Sequence, residues 1–293
     1  MGSGKPATTT VSLRPGRPAD AKACGRICFD AFGAIAAQHN FPSDFPSVDV
    51  ATDLMTMLLS HPRFFSVVAE VDGVIAGSNF LDERSPVVGL GPITVDPRVQ
   101  NQRIGRRLMQ AALDRATERG VPGVRLLQAA YHGRSLALYT TLGFQPREAI
   151  ACMQGRPIGL SSAGYRVRRA LDKDVEACNR VCTFVHGHHR GGEVLDAIKQ
   201  GTASVVEHEG RISGYATDLA FFGHAAGETN RELMALIGGA SAFGGPGILV
   251  PVRNAAIFHW CLGHGLRVVQ VMTLMTIGLY NEPAGAYLPS VLY

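Results

Sequence analysis

The stretch ITVDPRVQNQRIGRRL, residues 93–108, decides how this chain folds. An apolar run closed by Asp96-Pro97 is followed by a polar segment and then by a helical pattern. The loop before a helix presents backbone N–H groups that have no intrahelical partner, and with the helix dipole they can bind phosphate oxygens. Gly105 allows a ligand to approach the backbone, and Arg98, Arg103, Arg106 and Arg107 add positive charge. The pattern is neither a P-loop nor a dinucleotide fingerprint, because it lacks Gly-Lys-Ser/Thr and has one glycine instead of three.

The rest of the first half alternates strand and helix patterns. They predict a strand at TVSLR (10–14), helices from Asp20 to about Asn40 and at VDVATDLMTMLLS (48–60), and a hairpin at Asp72-Gly73. A single strand is predicted at PVVGLGPITV (86–95), before the helix. The buried strand VRLLQAA (124–130), the short helix SLALYTTLG (135–143) and the strand FQPREAIACMQ (144–154) follow. This order predicts an α/β fold with a mixed sheet.

A second feature is internal repetition. ACGRIC (23–28) returns as ACNRVC (177–182), and the same offset pairs Arg14 with Arg168 and Asp20 with Asp174. SVVAEVDGVIAG (66–77) resembles SVVEHEGRISG (204–214), and HGRSLALYTTLGF (132–144) matches the frame of NAAIFHWCLGHGL (254–266). Three matches in the same order predict one structural plan used twice. With 293 residues, we expect two domains, residues 1–160 and 161–293.

The repeated Cys-x-x-x-Cys pairs raise the question of a metal site. Cysteines four residues apart in a helical run lie on one helix face, whereas thiolate zinc sites usually use two-residue spacings in tight loops. We therefore predict that these thiols pack in the core, with metal binding and redox chemistry as less favoured alternatives. The HGHH segment (186–189) is interpreted as a solvated loop, and no metal site is predicted.

Composition and charge restrict the class of protein. A hydrophobic fraction of 46% with 18% charged residues is ordinary for a globular protein, and no apolar run approaches the ~20 residues of a membrane helix. MGSGKPATTT (1–10) lacks the apolar core of a signal peptide, and we expect a loose tail. Six cysteines without a loop-dense framework favour a cytoplasmic location. Residues 1–160 carry 17 basic and 13 acidic residues, and the basic patch has no interleaved aromatics, which favours a small polyanionic ligand over nucleic acid.

Two motifs together resemble a known family. The pattern V-D-P-x-x-Q-x-x-R-I-G-x-x-L (95–108), followed by L-Y-x-x-L-G-F (138–144), is similar to the GNAT superfamily of acetyl-CoA-dependent N-acetyltransferases. The resemblance implies a GNAT-like mixed-sheet fold whose strand pairs with the pantetheine arm and whose loop binds the pyrophosphate. The strand residues are Ile93, Thr94 and Val95, and the loop residues are Asn101, Gln102, Arg103, Ile104, Gly105 and Arg106. Arg103 stands where the family has a glycine, a departure that is tolerated if its φ is negative.

The resemblance also implies the chemistry. Tyr139 matches the tyrosine that protonates the departing thiolate, and His132 falls where the family commonly has an asparagine that bonds the coenzyme. The family's glutamate base corresponds to Leu127, so that base is absent. Asp82, Glu83 and His39, or a water relay, stay open as replacements, and no base is assigned.

The second half resembles a degenerate copy of the first. GHAAGETNRELMALIGG (223–239) lacks the basic cluster, and Cys261 stands where the first copy has Tyr139. We expect this copy to keep the fold and to have lost coenzyme binding. The tail LYNEPAGAYLPSVLY (279–293) lies beyond the repeated core, where it either lines the acceptor pocket of the first lobe or packs between the lobes.

The predicted function is that of an acyltransferase. By the resemblance, it transfers an acetyl group from acetyl-CoA to a primary amine of a small molecule or peptide by direct transfer. The alternative is an acetyl-CoA-binding sensor or scaffold without transferase activity. We expect a monomer or homodimer with no nucleic-acid or membrane partner.

Overall fold

The structure, a computed structural model, describes residues 10–293, so the tail predicted at the N-terminus falls almost wholly outside the described residues. The chain forms two compact units. The first contains the residues up to Leu81 together with Leu90–Arg119, and the second contains Asp82–Gly89 and Gly120–Tyr293. The division at residue 160, which follows the sequence repeat, stays a prediction.

Strands and helices alternate along the whole chain. Those of the first half are β1 (Val11–Pro15), α1 (Ala21–Gln38), α2 (Val48–Ser60), β2 (Phe64–Val71), β3 (Val74–Asp82), β4 (Val88–Leu90), β5 (Thr94–Val95), α3 (Ile104–Glu118), β6 (Gly123–Ala129), α4 (Gly133–Thr141) and β7 (Gln145–Gln154). Those of the second half are β8 (Tyr165–Arg169), α5 (Val175–His186), α6 (Gly191–Gln200), β9 (Ser204–His208), β10 (Arg211–Ala216), β11 (Ala225–Gly227), α7 (Asn230–Gly239), β12 (Ile248–Pro251), α8 (Ala255–Gly263), β13 (Arg267–Gly278) and β14 (Ala286–Leu288). Within residues 10–293, none of these helices has the length and apolar character needed to span a membrane.

The first unit is built on strands β1, β2, β3 and β5. β1 pairs antiparallel with β2 from Val11↔Val71 to Pro15↔Val67, and β5 pairs antiparallel with β3. One face of these strands packs against α3, with Val67, Ala69, Ile104 and Leu108 buried in a shared core. α3 thus has a fixed position relative to β5, the strand that precedes it.

The strand predicted at residues 86–95 is interrupted. β4 ends at Leu90 and β5 begins at Thr94. Between them, Gly91 has a φ of 135°, and Pro92 has no N–H group to donate to a strand ladder. The prediction of one continuous strand was therefore wrong at Gly91 and Pro92.

The second unit contains two sheets. In one, β4 pairs parallel with β6, while β13 pairs antiparallel with both β6 and β7, and β12 pairs antiparallel with β7. Parallel and antiparallel pairs thus occur in one mixed sheet, as predicted. The other sheet has the order β14-β11-β10-β9-β8.

β7 and β13 exchange places between the two sequence copies. β7 follows the frame at 132–144 and β13 follows the matching frame at 254–266. β13 lies between β6 and β7 of the first copy, and β7 lies between β12 and β13 of the second. Each copy therefore supplies one strand to the interior of the other copy's sheet.

The two copies also repeat an ion-pair pattern at their first strand. The paired residues are Arg14–Asp20 (2.7 Å) and Arg14–Glu70 (2.7 Å) in the first copy, and Arg168–Asp174 (2.6 Å) and Arg168–Glu207 (2.7 Å) in the second. The arginine joins the first two strands of its copy to the turn that starts the following helix. This shared geometry supports the interpretation of a duplicated fold.

The paired cysteines are part of the core. Cys24, Cys28, Cys178 and Cys182 are free and fully buried. Burial raises the pKa of the Cys24 and Cys182 thiols to about 11, so they stay protonated at neutral pH. The prediction that they pack as apolar residues is confirmed. No group of three or more His, Cys, Asp or Glu side chains in residues 10–293 could hold a metal ion.

The interpretation of the HGHH segment as solvated was wrong for two of its histidines. His186 and His188 are 2% and 8% exposed. His186 packs edge-on against the Tyr287 ring at 4.9 Å, and the His188 Nε2 atom lies 3.4 Å from the Tyr293 hydroxyl. Burial lowers the pKa of both imidazoles below their usual value, so they are neutral at pH 7. Aromatic partners from the distant tail, which sequence spacing does not reveal, account for the burial.

Candidate active site

The loop between β5 and α3 begins with a turn fixed by Asp96. The Asp96 carboxylate accepts hydrogen bonds from the Arg98 backbone N–H at 2.9 Å and from the Arg98 guanidinium at 2.6 and 3.0 Å. These bonds hold the pKa of Asp96 below its usual value. Pro97, which follows, has no N–H group and a φ suited to the start of a helical turn. The sequence Asp-Pro-Arg thus ends the strand and turns the chain toward α3.

Left-handed residues shape the end of this loop. Asn101 has a φ of 72° and Arg103 a φ of 62°, and the first bond of α3 runs from the Arg107 N–H to the Arg103 carbonyl at 3.1 Å. The condition under which arginine would be tolerated here, a negative φ, is therefore not met. The turn into α3 requires the conformation that glycine adopts without strain, and arginine adopts it at a cost of about 1–2 kcal/mol.

The start of α3 is anchored on one side and open on the other. Ile104 and Leu108 are buried, and the Leu108 carbonyl accepts a hydrogen bond from buried Asn79 at 3.2 Å. Asn101, Gln102, Arg103 and Arg106 are exposed, and Gly105 is half-buried. The Arg103 side chain, at the N-cap position, does not cap α3. Among the residues of this loop, backbone donors and two arginines therefore face outward from a fixed helix end.

β5 is held along one edge by β3. Gly77 and Ser78 pair with Val95 and Thr94, and the Asp96 N–H donates to the Ala76 carbonyl at 2.9 Å. A Cβ atom on Gly77 would lie 2.5 Å from the Thr94 carbonyl oxygen, so only glycine allows this approach. Thr94 is buried and Val95 is half-buried, next to half-buried Ile93.

Tyr139 lies on α4, in the second unit. Its side chain is 8% exposed and packs edge-on against Phe144 with ring centroids 6.2 Å apart. Burial raises the pKa of Tyr139 well above its usual value, so the phenol stays protonated at neutral pH. The protonated phenol is a hydrogen-bond donor and carries a proton that can be transferred.

A comparison with known families agrees with this geometry. Residues 35–144, which include β5, α3 and the Tyr139 helix, match the acetyltransferase (GNAT) family. This match covers 110 of the 293 residues. No curated protein sequence matches the chain.

Solved structures extend the GNAT fold over almost the whole chain. A candidate acetyltransferase from Pyrococcus horikoshii superposes with a TM-score of 0.73 at 15% identity, covering 97% of this chain and 98% of its own. A GCN5-related N-acetyltransferase from Sphaerobacter thermophilus superposes with a TM-score of 0.63 at 17% identity, covering 93% of this chain and 96% of its own. At these identities the likeness shows the fold, and the predicted α/β GNAT-like fold is confirmed.

His132 marks the start of α4 in the first copy. Its carbonyl accepts hydrogen bonds from the Gln128 side chain at 2.9 Å and from the Ser135 N–H at 3.1 Å. The side chain is half-buried and does not cap the helix. Asn254, the matching residue of the second copy, does cap its helix, because its side chain accepts from the Ile257 N–H at 3.3 Å.

In the second copy, the counterpart of the GNAT loop is closed by the chain itself. The N-terminus of α7 is capped by Thr229, whose N–H donates to the Glu232 carboxylate at 2.9 Å. β11, the counterpart of the strand before the loop, pairs with β10 on one edge and with β14 of the tail on the other. The tail thus pairs with the second sheet, while its Tyr280 and Tyr293 rings contact Arg125 of the first copy, in agreement with the alternative of packing between the two copies.

The residues considered as a general base differ in whether they could accept a proton from the amine. Both oxygens of Asp82 accept hydrogen bonds from the Arg84 side chain, the shortest at 2.6 Å, so this carboxylate is fully engaged. Leu127 packs against an apolar cluster. Glu83 and His39 are half-buried and have partners of their own.

Sequence reasoning missed Arg125 on β6. It is 1% exposed, the largest of the fully buried side chains in the described chain. The available signal was one charged residue within VRLLQAA, a run otherwise typical of a buried strand. A buried, charged residue at such a position indicates a function or a partner.

Proposed function

We propose that this protein transfers an acetyl group from acetyl-CoA directly to a primary amine. The observation that carries the proposal is the N-terminus of α3, which a buried core holds in place. The Arg103 side chain does not cap it, and it presents backbone donors and arginines. The GNAT family match at residues 35–144 supports the same reaction class.

The loop residues suit the coenzyme pyrophosphate. The N–H groups of Ile104, Gly105 and Arg106 precede the first bond of α3, and Arg103 and Arg106 are exposed beside them. Oriented N–H groups at a helix start attract anions without the entropy cost of ordering long side chains. On this proposal, the main chain of Ile93, Thr94 and Val95 binds the pantetheine arm. His132 occupies the position of a further coenzyme contact.

Tyr139 is the proposed general acid. Acetyl-CoA supplies a thioester whose sulfur leaves as a thiolate, and a protonated phenol on α4 neutralises that charge. The acceptor must reach the site as a neutral amine, and an alkyl amine has a pKa near ~10. We assign no side chain to remove its proton, because Asp82 is engaged by Arg84.

The test is release of free thiol from acetyl-CoA with a panel of amines, using the wild-type protein and Tyr139→Phe. The variant keeps the ring that packs on Phe144 and removes only the hydroxyl. We expect kcat to fall about 10²-fold, the lower end for positioned proton transfer, since a thiolate leaves readily. Coenzyme affinity should change less than about tenfold, because one hydrogen bond contributes about 1 kcal/mol.

A matched control is Thr140→Val, which changes an exposed hydroxyl on the next residue of α4. It should keep wild-type kcat. A Tyr139→Phe variant within a factor of three of wild type would show that Tyr139 is not the acid. Acetyl-CoA binding without thiol release for any amine would favour the sensor or scaffold alternative.

A further inference from the structure

The second unit buries several charged side chains, and almost all of them are paired. Arg190 forms an ion pair with Glu193 at 2.6 Å, and Arg84 pairs with Asp82 at 2.6 Å and Asp196 at 3.3 Å. Pairing of this kind is the rule for buried charges. The exception within the described chain is Arg125, whose buried Nε and Nη2 atoms have no hydrogen-bond partner.

The guanidinium of Arg125 is surrounded by aromatic rings and by another cation. Its central carbon lies 4.3 Å from the centroid of the Tyr293 ring and 5.3 Å from that of Tyr280. Tyr293 also contacts Arg190 at 4.4 Å. The rings offset part of the charge, but they do not accept the in-plane hydrogen bonds of Nε and Nη2.

The two unpartnered atoms are chemically informative. Nε–H and one N–H of Nη2 point in the same direction along one edge of the guanidinium, the fork that binds both oxygens of a carboxylate. Burial and repulsion from Arg190 lower the pKa of Arg125 to about 10, still far above neutral pH. The side chain therefore remains charged while its preferred partner is missing from the chain itself.

We propose that Arg125 anchors a carboxylate of the acceptor, so that the substrate is an amine that also carries a carboxylate group. This proposal rests on the proposed function for the amine, but the carboxylate subsite stands on its own geometry. A carboxylate brings one negative charge and two coplanar oxygens, which match one unpaired charge and one two-donor edge. A phosphate dianion would add a second charge for which Arg190, already paired with Glu193, offers no compensation.

Tyr280 and His186 are two further features of these surroundings. Tyr280 is half-buried and also contacts the exposed Arg147, at 4.7 Å, so its ring connects the surface to Arg125. The Nδ1 atom of buried His186 is likewise without a partner.

The first experiment measures binding without acetyl-CoA. The probes are ω-amino carboxylates of increasing chain length, each compared with its uncharged amide and with inorganic phosphate, by isothermal titration calorimetry. We expect one chain length to bind at least tenfold more tightly as the carboxylate than as the amide. Arg125→Gln should weaken that carboxylate roughly 30-fold or more while leaving amide binding unchanged.

Two further variants separate a direct role from a structural one. Arg125→Lys keeps the charge but loses the fork, and should show intermediate affinity if the fork matters. Arg147→Gln removes a cation stacked on the same Tyr280 ring and should keep the carboxylate preference. Thermal unfolding establishes that each variant is folded, and if Arg125→Gln is not, Arg125→Lys decides the result.

The second experiment compares kcat/KM for the same carboxylate and amide pairs with acetyl-CoA. A wild-type preference that Arg125→Gln abolishes supports the proposal. Equal binding of carboxylate and amide, tighter binding of phosphate, or a preference retained in Arg125→Gln overturns it. If no amine is acetylated, the proposed function fails, and calorimetry still decides the carboxylate subsite.

Discussion

Arg103 offers a direct test of the loop geometry. At most positions alanine stabilises a protein more than glycine does, but the left-handed backbone of Arg103 predicts the opposite order. With a φ of 62°, it occupies a conformation in which a Cβ atom costs about 1–2 kcal/mol. Arg106, three residues later, lies within α3, where a Cβ atom is favourable. Replacing each arginine by alanine and by glycine removes the charge in both variants of a pair, so the difference within a pair isolates the backbone.

The expected magnitudes follow from these conformations. At residue 103, glycine relieves the left-handed strain but loses about 0.5–1 kcal/mol through the entropy of the unfolded chain. The free energy of unfolding of Arg103→Gly should therefore be about 0.5–1 kcal/mol higher than that of Arg103→Ala. At residue 106, the free energy of unfolding of Arg106→Ala should be about 1 kcal/mol higher than that of Arg106→Gly. The sign of the glycine–alanine difference should thus reverse between two positions of one loop.

The measurement is the free energy of unfolding in urea, followed by circular dichroism, for the four variants. The reversal is the informative result, because both pairs share any loss of charge. If alanine were the more stable residue at both positions, Arg103 would not have the left-handed conformation, and the geometry of the phosphate loop would be wrong.

Three further predictions concern binding and the repeated copies. Gly105→Glu should lower acetyl-CoA affinity about a hundredfold or more, measured by calorimetry, because a carboxylate would lie where the pyrophosphate binds; unchanged affinity in a folded variant would contradict the loop assignment. Titration should give one acetyl-CoA per chain, since Glu232 and β14 close the second copy; a stoichiometry of two would contradict this interpretation. Asp20→Asn and Asp174→Asn should each destabilise the protein by about 1–2 kcal/mol near neutral pH. Bonds to the arginines lower both pKa values, so this difference from wild type should be present above about pH 4 and vanish as the pH falls below it; a difference that persisted at pH 2 would refute it.

Local patterns in the sequence were sufficient for most helices and strands. The α2 prediction at residues 48–60 is confirmed in full, because Ser47 caps the helix through the Val50 N–H and an apolar face begins directly after it. The strand at 86–95 failed because a strong β pattern hid the effect of Pro92. The exchange of β7 and β13 could not be predicted, since both strands satisfy the same local pattern and differ only in their distant neighbours.

In the candidate site, too, some features follow from local sequence and others depend on residues that are distant in the chain. The β5–α3 loop carries its motif within a few residues, so Ile104 and Gly105 could be placed from sequence. The sign of the Arg103 φ is set by the turn into α3, and the sequence gives no signal for it because arginine is not a residue that favours positive φ. The neighbours of the Arg125 guanidinium are the rings of Tyr280 and Tyr293, more than 150 residues away in the chain. No local pattern could therefore predict that its Nε and Nη2 atoms lack hydrogen-bond partners.

The exchanged strands also determine when the protein can become active during its synthesis. α4 carries Tyr139 and joins β6 to β7, yet β6 and β7 are separated by β13, which the ribosome makes near the end. At synthesis rates of about 5–20 residues per second, β6 and β7 wait roughly 6–25 s for that strand. During this time the nascent chain has two sheet edges that fit each other, and any pairing between them must open again before β13 can insert. The helix that carries the proposed acid therefore takes its final position only after β13 has been made, and a chain that stops before residue 267 cannot complete the site.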